Sequence, residues 1–304
     1  MGAAFPMAEL DGDDELRMIS ETIALTARSL KKWARNPTAV MPSLFTATFY
    51  LALFGSSFNP ANLIPTKING FPLPGSMVEL MKADLFAQAF GGAPTYITYL
   101  TSGVICLVLV FNMSFGGIDL VIDRQLGFLN TLLTDPIPRT SIYFSGVLQN
   151  LVKATILAVL AFVIALVIPN GLELPSSFGT FDILGIFSAF ILLAFALSCV
   201  FTVLALSLRS ISSLVATANF VTLPLIFTSS ALFPLSSFPG WLKGVAEVNP
   251  ISKASEAARL LIINGSLSAN QLSTFSSDLA YLVVLAVVFG ALGTLAASRV
   301  LRAE

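Results

Sequence analysis

Six long apolar stretches are the feature that most constrains the fold of this chain. They lie at residues 38–54, 95–118, 142–168, 183–208, 211–232 and 279–297. Five contain no charged residue, and the third contains only Lys153. Crossing a hydrocarbon core of about 30 Å takes roughly 17 to 25 apolar residues in a helix. Because backbone groups in lipid must be hydrogen-bonded internally, and the stretches lack the alternation of strands, each predicts a transmembrane helix.

The overall composition agrees with a membrane protein. Only 11% of the residues are charged and 56% are apolar, and the mean hydropathy is +0.87. A soluble domain carries about a quarter charged residues, so this chain lacks the charge to cover a water-soluble surface. The net charge of −1 gives no field that would attract nucleic acid. We therefore expect an all-α integral membrane protein with six transmembrane helices and no nucleic-acid partner.

Residues that carry catalysis or bind metals are scarce. The sequence contains no histidine, which excludes histidine-based triads, zinc sites of the H-E-x-x-H type and histidine proton relays. Cys106 and Cys199 lie in apolar stretches, where a thiol behaves as a small hydrophobe. No Gly-x-x-x-x-Gly-Lys-Ser/Thr loop occurs, so the chain is not expected to hold ATP. We expect no catalytic residue, no metal site and no cofactor bound by this chain.

Lys and Arg are distributed unequally between the two ends of the apolar stretches. With six spans both termini lie on one side, and ten of the cations fall there, close to the span ends. Cytoplasmic loops are enriched in Lys and Arg, so we expect a multi-pass protein of the plasma (cytoplasmic) membrane with both termini in the cytoplasm. The five cations on the opposite side are Lys67, Lys82, Lys243, Lys253 and Arg259.

The segment before the first stretch has an amphipathic helical pattern at residues 15–36, with Trp33 near its basic end and Asn36-Pro37 ending it. This predicts a helix on the cytoplasmic membrane surface. A soluble helix packed on a partner is the alternative, and the two are compatible. We divide the chain into residues 1–37, a cytoplasmic N-terminus with this interfacial helix, and residues 38–304, a single six-span domain. The basic residues of the helix are Arg28, Lys31, Lys32 and Arg35.

The segment between the fifth and sixth stretches, residues 233–278, is long and still fairly apolar. It includes a helical stretch at residues 251–263. Such a composition favours outer helices of the re-entrant type that dip into the outer leaflet or pack over the bundle. Glu256 and Arg259, three residues apart on one of these helices, predict a solvated or interface pair.

A few polar residues lie inside the predicted spans. Lys153 is the one charge, and a charge in the membrane is by default a functional hypothesis. It lies about three turns from the cytoplasmic end, so we expect its ammonium group to snorkel to the headgroups. Asn112 and Asn219 are more typical of hydrogen bonds between helices than of a substrate path. We keep Asn112, Lys153 and Asn219 as candidate polar sites within the membrane.

The loop between the second and third stretches carries a recognisable pattern. An acidic residue precedes an arginine, a glycine follows three residues later, and two leucines and a proline precede the next span. These residues are Asp123, Arg124, Gly127, Leu132, Leu133 and Pro136. The pattern resembles the signature of type-2 ABC transporter permeases, the class of multidrug and antibiotic exporter-like transmembrane subunits. The outer segment agrees, with Phe233-Pro234, Phe238-Pro239-Gly240-Trp241-Leu242, Asn249-Pro250 and Arg259.

The resemblance implies a dimer with a second permease copy or homologue. It also implies separate ABC ATPase subunits, carrying ATP and Mg, docked on the cytoplasmic face. The loop would then be the ATPase-coupling element, and its interleaved apolar side chains suit docking of a helix into a groove. Without the resemblance, an amphipathic turn resting on lipid headgroups explains the loop equally well.

The expected function is therefore a non-enzymatic permease subunit of an ATP-driven exporter. Its substrate would be an amphiphilic, drug-like or lipid-linked compound taken from the cytoplasm or the inner leaflet, with multidrug or antibiotic export first and lipid or polysaccharide export second. An ion-coupled secondary transporter would need ionisable residues near the bilayer midplane, which five spans lack. A non-transporting membrane scaffold is a further alternative.

Overall fold

The structure is a computed structural model that describes residues 12–57, 67–68, 71–127, 139–168 and 171–302. Within these residues nearly all regular structure is helical, as the apolar stretches predict. The elements are α1 (Gly12–Ala34), α2 (Pro37–Ser57), β1 (Lys67–Ile68), β2 (Phe71–Pro72), α3 (Gly75–Ala89), α4 (Tyr96–Phe115), α5 (Ile118–Gln125), α6 (Arg139–Val167), α7 (Thr180–Ser207), α8 (Ile211–Phe227), α9 (Gly240–Glu247), α10 (Pro250–Asn264) and α11 (Ala269–Arg302).

Among the described residues, four helical segments are long and apolar enough to cross a membrane: Tyr96–Gln125, Thr140–Val167, Thr180–Ser207 and Ala269–Val300. They coincide with the second, third, fourth and sixth predicted spans, which confirms an all-α protein of the membrane type. The first and fifth predicted spans fall on α2 and α8, whose apolar portions, Leu44–Leu53 and Ile211–Phe227, are shorter. The one departure from all-helical structure here is the antiparallel pairing of the two-residue strands β1 and β2.

Helix α4 lies at the centre of the bundle. It packs against α2, α6, α7, α8 and α10, and almost every residue along it is buried. Its N-terminus is capped by Thr95, whose side chain accepts a hydrogen bond from the amide of Thr98. Its C-terminus is followed directly by α5. The turn between them needs glycine, since a side chain at Gly116 would collide with the amide of Asn150, and one at Gly117 with Ala205.

The segment between α8 and α11 forms two helices, as the sequence predicts, and α10 is packed into the bundle. It begins with Asn249, whose side chain accepts from the amide of Ile251, and with a proline at its first position. Its buried face contacts α4, α7 and α11. The fold therefore places α10 against the ends of α4 and α8, and α5 at the far end of α4.

Candidate functional site

Helix α5 is held against the turn that joins α7 to α8. Arg124 Nη1 donates to the carbonyl oxygens of Leu206 at 2.8 Å and Leu208 at 3.0 Å. Gln125 Nε2 donates to the carbonyl oxygen of Arg209 at 3.2 Å. Carbonyl groups at the end of a helix have no partner within the helix, so these donors satisfy them. Arg124, a residue of the predicted coupling loop, thus uses Nη1 for hydrogen bonds within the chain.

Gly127 ends α5 in a left-handed conformation, with φ of +76°. A Cβ atom added there would meet nothing within 4 Å, so the restriction at this position comes from the backbone. Residues Leu132, Leu133 and Pro136 lie outside the residues that the structure describes, and their role as apolar anchors stays a prediction.

Helix α1 contacts α5 through a network of charges. Lys32 Nζ lies 3.2 Å from Asp119 Oδ1 and 3.8 Å from Asp123 Oδ1. Arg28 Nη1 lies 3.9 Å from Asp123 Oδ2. Exposed pairs of this kind contribute at most about 1 kcal/mol each, so the network chiefly sets the position of α1. The predicted interfacial helix and the start of the predicted coupling segment are thus in direct contact.

Asp119 is the member of this network that sequence reasoning missed. A signal was present in the spacing. Asp119 and Asp123 are four residues apart on α5, and Arg28 and Lys32 are four residues apart on α1, so each pair shares one helix face. Two matching faces of opposite charge predict that the helices meet.

The remaining faces of α1 differ in their surroundings. Thr26 is buried toward the bundle, and Ser141 Oγ of α6 donates to the carbonyl oxygen of Met18 at 3.4 Å. Ile19 and Ile23, on a neighbouring part of the helix surface, are more than half exposed. Lys31 and Arg35 are also exposed. Helix α1 therefore carries exposed apolar side chains as well as exposed basic ones, and its place on the membrane surface stays a prediction.

Lys153 is buried and paired with a carboxylate, and its snorkelling to the headgroups stays a prediction. Its side chain is 4% exposed, and Nζ lies 3.4 Å from Asp119 Oδ2. The physical reason is the carboxylate that α5 brings within reach of α6, because pairing a buried charge avoids an isolated ion in an apolar surrounding. Asp119 thus lies between Lys32 of α1 and Lys153 of α6.

A cavity of about 410 Å³ opens beside this ion pair, between α1, α2, α4, α5 and α6. We call it the Lys153 cavity. The buried Oδ1 of Asn112, which lines it, has no hydrogen-bond partner among the described residues. The cavity thus brings together Trp33, Asn112 and Lys153, three of the predicted residues, while Asn219 lies half-buried on α8 apart from it. Its lining residues are Trp33, Thr46, Val108, Phe111, Asn112, Phe115, Gly116, Ile118, Asp119 and Lys153.

Further polar atoms without partners lie next to this cavity. The amide of Asn150, one turn before Lys153 on α6, packs against Gly116 of the cavity wall. Both its Oδ1 and Nδ2 are buried without a hydrogen bond within the described structure, as are Gln149 Oε1 and Thr202 Oγ1. Buried polar groups are normally hydrogen-bonded, so these atoms can form hydrogen bonds with water or a ligand.

A second polar cluster lies at the opposite end of α4. The guanidinium of Arg259 stacks 3.8 Å above the ring of Tyr99 and donates to the carbonyl oxygens of Tyr99, Ser230 and Ala231. Glu256 accepts a hydrogen bond from Ser230 Oγ at 2.7 Å. Burial raises the pKa of the Glu256 carboxyl above its ordinary value. The expectation that Glu256 and Arg259 form a solvated or interface pair is wrong, because Arg259 is buried. Both side chains form hydrogen bonds with the segment after α8.

The same helix is fixed to α11 by an ion pair. Lys253 Nζ lies 2.9 Å from Asp278 Oδ1, and the Asp278 side chain is buried. Burial alone would lower the pKa of Lys253, but its hydrogen bond with Asp278 and the attraction of the surrounding carboxylates raise it. This outer cluster stabilises the fold and has no cavity of its own among those described.

The long apolar helices, which enclose a cavity and carry charged contacts at one end, are those of a multi-pass membrane protein. Residues 20–263 match the family described as ABC-2 type transporter, and the chain belongs to this family. It is 30% identical to a putative transport permease, ycf38, of Porphyra purpurea over 81% of this chain and 75% of that protein. It is 24% identical to the probable doxorubicin resistance ABC transporter permease protein DrrC of Mycobacterium tuberculosis, over 81% of this chain and 78% of that protein.

Another relative is the daunorubicin resistance ABC transporter permease protein DrrB1 of Streptomyces coeruleorubidus, 25% identical over 61% of this chain and 66% of that protein. The recognition of a type-2 ABC permease from the loop pattern is therefore confirmed. Membership implies a multi-pass transport subunit that is not itself catalytic and that works with an ABC ATPase.

Proposed function

We propose that this chain is the permease subunit of an ATP-driven exporter that moves an amphiphilic, drug-like or lipid-linked substrate outward from the cytoplasm or the inner leaflet. The observation that carries the proposal is the position of α5, which contacts α1, α6 and the α7–α8 turn through Asp119, Asp123 and Arg124. A movement of the segment after α5 would therefore be transmitted through α5 to four helices, α1, α6, α7 and α8. The drug-resistance names of two relatives support a drug-like amphiphile over other substrates.

In this proposal the permease has six spans, with α2 and α8 as the first and fifth, and works as a dimer in the plasma membrane. The ATPase partner binds ATP and Mg and docks on the segment after Gly127. Both termini are cytoplasmic. The clustering of Arg28, Lys31, Lys32 and Arg124 at one end of the bundle supports this orientation, because positive residues concentrate on the cytoplasmic side. The outer helices α9 and α10 belong to the opposite side.

The test is amphiphile-stimulated ATP hydrolysis. The chain is purified with its ATPase, reconstituted into nanodiscs and assayed with doxorubicin, daunorubicin or a lipid-linked saccharide. Stimulation by the drugs is expected, and stimulation by the saccharide alone favours the lipid or polysaccharide branch. Hydrolysis that no amphiphile changes favours a scaffold. Uptake into proteoliposomes driven by a proton gradient without ATP would overturn the proposal in favour of a secondary transporter.

A further inference from the structure

We propose that the Lys153 cavity binds an amphiphile of net negative charge, carried by one phosphate or carboxylate group. The anionic group lies on the ammonium of Lys153 and the apolar part lies against the aromatic wall. This site goes beyond the transport function proposed above. It is a property of this chain in a bilayer and requires neither ATP nor transport, so it is tested independently.

The first argument is the incomplete bonding of Lys153. An ammonium group has three donors, and Nζ has one acceptor among the described residues, Asp119 Oδ2 at 3.4 Å. Charge-assisted hydrogen bonds are normally about 2.7–2.9 Å long, so this contact is loose. Asp119 lies nearer to Lys32, at 3.2 Å, and its side chain is 34% exposed. A buried ammonium with spare donors is satisfied best by a further anionic oxygen.

The second argument is the balance of charge around the cavity. Two ammonium groups, those of Lys32 and Lys153, contact the single carboxylate of Asp119, so its negative charge is shared between two cations. An anionic group on Lys153 would supply the negative charge that Asp119 shares with Lys32. A cationic ligand would need a free carboxylate, but Asp119 already contacts two ammonium groups.

The third argument is the shape and lining of the cavity. Its volume of about 410 Å³ falls within the usual range for a small-molecule site, roughly 300–1,000 Å³. Trp33, Phe111 and Phe115 supply an apolar wall, and Lys153 supplies the positive charge. A free phosphate would leave the apolar wall unused, whereas an amphiphile covers both parts. The wall therefore favours a ligand with an apolar tail.

The chain contains a reporter for this site. It has two tryptophans, Trp33 in the cavity wall and Trp241, which is 74% exposed on α9. Trp241→Phe therefore leaves Trp33 as the single tryptophan, which is excited selectively over tyrosine. The nanodiscs contain an increasing fraction of phosphatidylglycerol with brominated acyl chains. This lipid should quench the fluorescence of Trp33 in a saturable manner. We expect an apparent affinity about tenfold tighter than for phosphatidylcholine with the same acyl chains, because the choline of that lipid cancels the charge of its phosphate.

Substitutions of the two residues in the ion pair should change the affinity for phosphatidylglycerol in opposite directions. Lys153→Gln should abolish the preference for phosphatidylglycerol, and Lys153→Arg should keep it. Asp119→Asn should tighten binding of phosphatidylglycerol, because the ligand no longer competes with the carboxylate. A purely structural ion pair would make Lys153→Gln and Asp119→Asn equally harmful. The matched control is Lys31→Gln, an exposed cation two positions from Trp33, which should change the affinity by no more than about twofold.

Equal quenching by the two lipids would overturn the site, as would an unchanged preference for phosphatidylglycerol in Lys153→Gln or weaker binding of that lipid in Asp119→Asn. A fourth contrary result is a loss of affinity for phosphatidylglycerol in Lys31→Gln as large as that in Lys153→Gln. That result would show that the whole basic surface attracts anionic lipid. Inorganic phosphate is added in a separate arm. Its failure to reverse the quenching supports an amphiphile, and reversal at millimolar phosphate would show a free-anion site instead.

Discussion

The guanidinium of Arg124 lies 2.8 Å from the carbonyl oxygen of Leu206 and connects α5 to the last turn of α7. The same Nη1 atom reaches the carbonyl oxygen of Leu208, one residue beyond that helix. Because the turn between α7 and α8 is only three residues long, from Leu208 to Ser210, these contacts fix both helices relative to α5. An element that binds α5 is therefore in mechanical contact with two helices of the bundle.

Arg124→Ala should leave membrane insertion intact, because no apolar span is altered, and should reduce substrate-stimulated ATP hydrolysis at least several-fold. Removal of the guanidinium leaves the two carbonyl groups without their donor, at a local cost of about 1–3 kcal/mol. Recovery of the ATPase in pull-downs should fall as well. The control is Arg209→Ala, since Arg209 is exposed and contributes its backbone carbonyl to α5. If Arg124→Ala transports at the parental rate, this contact is not part of the coupling.

Gly127→Val should impair coupling through the backbone. A branched residue at φ of +76° costs about 1–2 kcal/mol, and α5 would have to end differently. Gly127→Asn is the matched control, because asparagine tolerates the left-handed region. Copurification of the ATPase is measured for both variants. Equal losses in Gly127→Val and Gly127→Asn would mean that a partner approaches this glycine closely, because strain would then not be the cause.

Much of this arrangement could be predicted from the sequence, because long uncharged stretches permit few structures in a membrane. The bundle helices, the amphipathic α1 and the helical character of α10 followed from hydrophobic periodicity. The loop pattern led to the family. The Lys153 cavity could not be foreseen, since it depends on how α1, α5 and α6 pack together, and a pattern within one helix carries no information about its neighbours. For the same reason Arg259 was assigned to a solvated pair, whereas Tyr99 and Ser230, far away in the sequence, surround it.

The outer cluster makes the stability of the protein depend on pH. Because the pKa of Glu256 is raised in the folded state, its contribution to stability is complete below its unfolded pKa and is lost as pH rises through the folded value. Glu256→Gln cannot titrate and retains an acceptor for Ser230. As the pH rises above the ordinary glutamate pKa of about 4.5, the thermal midpoint of the parent should therefore fall relative to that of this variant. A difference that stays constant above that pH would contradict the assignment.

Single-cysteine labelling tests the orientation. Cys106 and Cys199 are buried and are replaced by alanine to give a cysteine-free background. Cysteines at Ser76 and Ser266, both exposed, should react with an impermeant maleimide in intact cells. A cysteine at Ser212, exposed beside the α7–α8 turn, should react only after permeabilisation, as should one at Asn130. Labelling of Ser212 in intact cells would invert the orientation and remove α5 from the cytoplasmic side.

Arg259→Lys should destabilise the outer end of the bundle although it keeps the charge. The guanidinium stacks on Tyr99 and reaches the carbonyl groups of Tyr99, Ser230 and Ala231 at the same time. An ammonium group lacks both the plane for stacking and the fork that reaches separate acceptors. We expect a loss of about 1–3 kcal/mol and a lower thermal midpoint in nanodiscs.

Hydrogen exchange locates the effect of Arg259→Lys. Protection should be lost first in residues 228–232, because Arg259 donates to two carbonyl groups within that segment. Lys243→Ala, which removes an exposed cation from α9 on the same side, is the control and should change neither the midpoint nor the exchange. A variant Arg259→Lys with the parental midpoint would show that charge alone holds the segment. The forked donors of the guanidinium and its stacking on Tyr99 would then contribute nothing to the stability of the segment after α8.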